Sequence, residues 1–116
     1  MNNELKYVRA VLKKPDEQPE IVKICKDDIP ALVNPEGKYT EIQTEEYSST
    51  ISMHFTGGKH NFDIEFLTYC GNVLFVKSKN HHSCTNKSLQ DMTDEDIKRL
   101  YAAMKWGDFN TNDNRP

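Results

Sequence analysis

Apolar positions along the chain form a series of short alternating segments and then one helical segment. In LKYVRAVL, residues 5–12, Val8, Ala10 and Leu12 share one face and Tyr7 and Arg9 the other, which is the period of a strand. KKPDEQ follows, centred on the turn signal Pro15-Asp16, and PEIVKIC at 19–25 resumes the strand pattern. The two segments predict an N-terminal hairpin with a longer loop. Asp27-Asp28-Ile29-Pro30 predicts a short helix near residues 28–33, with an aspartate as N-cap and proline in the first turn, where its missing N–H costs nothing. Asn34-Pro35-Glu36-Gly37 ends that helix, and GKYTEIQ at 37–43 reads as a third strand.

In the middle of the chain, Ile51, Met53 and Phe55 alternate with Ser52 and His54, and Phe62, Ile64 and Phe66 alternate with Asp63 and Glu65. Gly57-Gly58 between them suits a primed turn, so these two segments predict a hairpin in which Met53 faces Phe62 and Ile51 faces Ile64. His60 then lies opposite Phe55, while His54, Asn61, Asp63 and Glu65 take the outer face. Gly71-Asn72 marks another turn. Val73-Leu74-Phe75-Val76 is apolar on both faces and predicts a central strand. KNHHSCTNKS leads out of that strand into MTDEDIKRLYAAMKW, from 92. Here Thr93 is a good N-cap, and Asp94, Glu95 and Asp96 suit the positive end of the helix dipole. Met92 and Ile97 occupy the positions of a hydrophobic staple, and Ile97, Leu100, Tyr101 and Met104 keep helical spacing. Gly107 is expected to stop the helix.

These elements predict an α+β fold: an antiparallel-rich sheet of five or six strands, a C-terminal helix packed on one face and a short helix near 28–33. Residues 1–106 form one domain, and the polar tail 107–116 is expected to be disordered. A chain of 116 residues buries roughly 65% of its unfolded surface and folds without metal or disulfide. The apolar fraction of 36% and mean hydropathy of -0.77 favour a sheet with one wet face.

Fifteen basic and 18 acidic residues give a net charge of -3, with no basic run, so the charge pattern argues against nucleic acid as a partner. The odd count of three cysteines and the lack of a hydrophobic leader argue against a secreted disulfide framework. No apolar stretch is long enough for a helical membrane span. The expected location is the cytoplasm.

The segments YVRAVLKKPDEQPEIVKI, GKYTEIQ, GNVLFVKS and MTDEDIKRL, in this order, resemble domain-of-unknown-function family 3846 over roughly residues 5–105. The resemblance implies a small single α+β domain from a bacterium, phage or other mobile element. Members of that family often carry a Pro-x-Asn element and a glycine pair before the middle strand. Residues 44–66, TEEYSSTISMHFTGGKHNFDIEF, contain no such proline. The family brings no catalytic residues to carry over.

His81, His82 and Cys84 lie within four positions, but they supply at most three of the four ligands zinc takes, with poor geometry for one ion; Cys70 is a conceivable fourth. Cys84 as a nucleophile lacks a following helix N-terminus to form an oxyanion hole. Gly57-Gly58-Lys59 lacks the GxxxxGK[ST] pattern of a phosphate loop. No catalytic residue, metal or cofactor is assigned. The candidate binding residues are His54, Asp63, Glu65, His81, His82, Cys84 and Trp106, the last able to anchor a partner or to cover the sheet. The expected function is a non-enzymatic binding protein, a phage or mobile-element accessory protein that contacts a host or defence protein. The alternatives are a nucleotide-like small-ligand binder with a pocket between sheet and helix, and a Cys/His metal or thiol protein.

Overall fold

In the computed structural model, which describes residues 7–79, 88–107 and 109, the alternating N-terminal segments pair as expected. Strand β1 (Val8–Lys13) runs antiparallel to β2 (Glu20–Ile24), with Val8 opposite Ile24 and Ala10 opposite Val22. A 3-10 turn, Lys26–Asp28, leads into the short helix α1 (Ile29–Val33), with Pro30 in its first turn. Asp28 stands at the N-cap of α1, but its carboxylate accepts from the Cys25 backbone N–H at 3.0 Å and closes the 3-10 turn instead.

The third strand begins later than its pattern suggested, as β3 (Gln43–Glu46). It is followed by β4 (Ile51–Phe55), β5 (His60–Ile64), β6 (Leu67–Cys70), β7 (Val73–Ser78), the short β8 (Leu89–Gln90) and the helix α2 (Asp94–Met104). The main sheet has the order β2-β1-β7-β4-β3, with β8 also on β7, and every pairing is antiparallel. Strand β7 is central, as its two-faced apolar run requires.

The predicted β4–β5 hairpin does not form. Met53 lies opposite Phe75 and Glu45, and β5 pairs with β6 in a separate two-stranded sheet. Gly57 and Gly58 form part of a connection that leaves the main sheet and do not make a two-residue turn. His60 consequently faces Cys70 and not Phe55.

The wet face also fails to appear along the central strands. Val11, Met53, Phe55, Val73 and Phe75 pack under α2 (Ile97, Leu100, Tyr101) and under Phe62 and Tyr69 of the small sheet. The opposite face buries Val8, Ala10, Leu12, Leu74 and Val76 against Ile29 and Val33 of α1. The five-residue helix closes this face together with Ile24, Leu89 and Ile42.

Helix α2 begins as its sequence dictates. Thr93 Oγ1 accepts from Asp96 N at 3.0 Å, the Asp96 carboxylate accepts from Thr93 N at 2.8 Å, and Met92 and Ile97 are both fully buried. The helix ends two residues before Gly107, at Lys105, which takes the left-handed conformation itself with φ 59°. Of the tail, Phe109 is described, and its ring lies 5.4 Å from that of Tyr101. No helix among the described residues is long and apolar enough to cross a membrane.

Candidate functional site

The sequence-predicted site residues that are described do not gather on one surface. His54 is 4% exposed and faces the α1 side of the sheet. Its Nδ1 lies 3.1 Å from Thr44 Oγ1 and its Nε2 lies 3.2 Å from Ser52 Oγ. Burial holds its pKa down, to about 4, so the imidazole is neutral. The outer-face acidic strip with His54 is thus overturned: the β4 segment that read as half polar is buried throughout, with its polar groups bonded to one another.

Asp63 is exposed and sits 3.1 Å from His60 Nε2. Hydrogen bonds from His60 and Thr68 hold its carboxyl below the usual range. Trp106 is packed edge-on against Phe62, Phe75 and Tyr101, at centroid distances of 5.6–6.1 Å. His81, His82 and Cys84 fall outside the described residues. Among the described residues no three His, Cys, Asp or Glu side chains come together as a metal site.

Glu65 begins the turn between β5 and β6, where Ile64 lies opposite Leu67. It takes φ 55° at the first of two turn positions, and Phe66 takes the second. That turn projects Phe66 entirely into solvent, at 100% exposure, with Leu67 beside it at 57%. The alternation of Phe62, Ile64 and Phe66 had suggested a common core face. A two-residue turn built from Glu-Phe carries no glycine, asparagine or proline signal, so nothing in the sequence marked where the strand ends.

The base of this hairpin is anchored. Phe62 stacks on Tyr69 at 5.4 Å and on Phe75 at 6.0 Å, and Phe55 meets Tyr69 edge-on at 5.3 Å. Tyr69 Oη donates to Glu45 Oε1 at 2.8 Å, tying β6 to the edge strand β3. Burial, with the Glu45 carboxylate beside it, pushes the Tyr69 hydroxyl up to about 12, so it stays protonated as a donor. The hairpin is a post anchored at its base, with Phe66 and Leu67 exposed at its tip.

Between β3 and β6 lies an open groove of about 460 Å³, with Phe55 and Tyr69 at its floor and Gln43, Glu45, Leu67 and Tyr39 on its walls. A second cleft of about 280 Å³ shares Tyr39, Thr56, Gly57 and Gly58 with the groove and is bordered by Lys38 and Lys59. Its polar groups are occupied by the fold. Asn34 exchanges hydrogen bonds with the Tyr39 backbone, Asn72 Nδ2 donates to Leu32 O, and Thr56 Oγ1 donates to Val33 O. Lys38 pairs with Glu36 and Lys59 with Asp16. This cleft is a joint where connections cross, and its lysines carry little uncompensated charge toward a ligand. Neither cleft lies between the sheet and α2, where Ile97, Leu100 and Tyr101 fill the space.

No family model, no curated protein and no solved structure matches this chain.

Proposed function

We propose that this protein is a non-enzymatic binding protein that docks another protein through the tip of the β5–β6 hairpin. One observation carries the reading: Phe66 is wholly exposed on a post whose base is fixed in the core. The fold gains nothing from that ring. Burying a phenylalanine is worth about 1.5–3 kcal/mol, a gain open to Phe66 only at an interface. Phe66 and Leu67 are adjacent at the tip, as a small central anchor would be.

We further propose a cytoplasmic phage or mobile-element accessory protein whose target is a host or defence protein. Capture from host lysate with the wild-type chain and with Phe66→Asp tests the reading. A stoichiometric partner held by the wild type and lost by the variant, at unchanged melting temperature, is the expected result. Equal capture by both removes the tip from the interface.

A further inference from the structure

The outer edge of β3 offers a second mode of contact beside the hairpin tip. We propose that this edge accepts a strand from the partner, and that the accepted strand is basic. The inference rests on the binding reading above and specifies the partner's chemistry.

The main sheet ends at β3, and all four of its residues are exposed. Tyr47 N–H donates to Ile51 O at 2.8 Å, so Tyr47 turns its peptide groups toward β4. By the period of two, Glu45 and Gln43 do the same and Thr44 directs its N–H and C=O away from the sheet. Gln43 to Glu46 pair with Phe55 to Ser52 without a register shift. Of the devices that blunt such edges, β3 is short and carries two glutamates, but it has no lysine, proline or bulge.

Charge decides what the edge accepts. Residues 37–45 hold Glu41 and Glu45 and one cation, Lys38, which is bonded to Glu36. A second copy of this chain pairing through β3 would bring glutamates together, which disfavours self-association. Glu45 accepts only the neutral hydroxyl of Tyr69, so its negative charge remains available across the groove. The exposed side chain of Leu67 lines the same groove. A lysine or arginine on the accepted strand can lay its aliphatic stem over Leu67 and bring its charged head to Glu45. Main-chain hydrogen bonds then supply affinity and the alternate basic side chains supply selection.

The test titrates the ¹⁵N-labelled chain with synthetic capped octapeptides: alternating Lys-Thr, alternating Glu-Thr, and two Lys-Thr versions N-methylated at either the lysines or the threonines. Strand addition predicts saturable amide shifts centred on Gln43–Glu46 with Lys-Thr and binding about tenfold or more weaker with Glu-Thr. It also predicts that one methylated version loses binding while the other keeps it, because only alternate amides of an added strand face the sheet. No binding, equal binding of both charge types, or equal behaviour of both methylated peptides overturns it. If Phe66→Asp abolishes capture of the partner while the Lys-Thr peptide leaves β3 unshifted, the docking tip stands and strand addition falls. If the peptide docks on β3 but Phe66→Asp leaves capture intact, the reverse holds.

Discussion

Asp96 Oδ2 accepts two hydrogen bonds of 2.8 Å, one from Lys77 Nζ on β7 and one from Thr93 N at the start of α2. A single carboxylate thereby caps the helix and fastens it to the central strand. Both side chains of the ion pair are less than a fifth exposed, so solvent screens the pair only weakly. Asp96→Ala removes the cap and strands a mostly buried ammonium, with an expected loss of about 2–4 kcal/mol. Lys77→Met leaves the cap in place but leaves the Asp96 carboxylate with the Thr93 cap hydrogen bonds alone, with a smaller expected loss of about 1–2 kcal/mol. Urea unfolding at neutral pH separates the two; equal losses would mean that the cap contributes little.

His54 predicts a pH dependence of stability. Its folded pKa is about 4 against an ordinary 6.5, so between these values the unfolded chain binds the extra proton. Stability from the neutral imidazole is complete above about pH 6.5, falls as the pH drops through this window, and levels off below about 4. The full span is worth about 3 kcal/mol. Burial also tends to raise Asp96, but Lys77 and Thr93 outweigh it and hold that carboxyl below its usual value. The stability Asp96 provides is present above about pH 4 and is lost as the pH falls through its lowered pKa, below the His54 window. Denaturation midpoints measured from pH 7 to 4 should flatten in His54→Gln; an unchanged slope would point to another group.

Three glycines should respond to alanine in a fixed order. A Cβ on Gly71, where φ is +74°, would stand 2.0 Å from Gly57 O, a backbone atom. Gly71→Ala is expected to cost more than about 4 kcal/mol or to prevent folding. At Gly57 the new methyl would meet the Tyr39 ring at 3.2 Å, and that ring is exposed and able to shift. Gly37 has φ +67° but open space around it, so only the backbone penalty of about 1 kcal/mol applies. Thermal melts of the three variants give the ranking directly.

Aromatic substitutions separate the core from the hairpin tip. Trp106→Ala opens the cluster of Phe62, Phe75 and Tyr101 and is expected to cost about 3 kcal/mol. Phe66→Asp touches nothing in the fold and should shift stability by less than about 0.5 kcal/mol. A large loss in the second variant would place Phe66 in a contact within the chain.

Local signals in the sequence were reliable where one element explained its own pattern. The alternation of Val8, Ala10 and Leu12, the two-faced run at Val73–Val76 and the Thr93 cap all specify structure without reference to distant residues. The error at Gly57-Gly58 had a physical source. Two alternating segments flanking a glycine pair fit a hairpin equally well whether they pair with each other or with other strands, and β4 gains more between β3 and β7. Ser52 and His54 looked like a solvent face because Thr44, the β3 partner of the buried imidazole, is brought opposite His54 only by the folded register. The hairpin tip was hidden for a related reason: the turn at Glu65-Phe66 depends on β6 returning along β5.

Strands β4 and β7 are direct antiparallel neighbours, with His54 opposite Leu74, so a short turn could have joined them. The chain inserts the β5–β6 hairpin at that point. Because the insertion enters and leaves between strands already in register, changes at its tip need not propagate into the sheet. Residues 65–67 can therefore diverge, lengthen or be exchanged while Phe62 and Tyr69 hold the base. Under the proposed docking role, target choice would change by substitution at a few solvent-facing codons, on a scaffold that is not itself reselected.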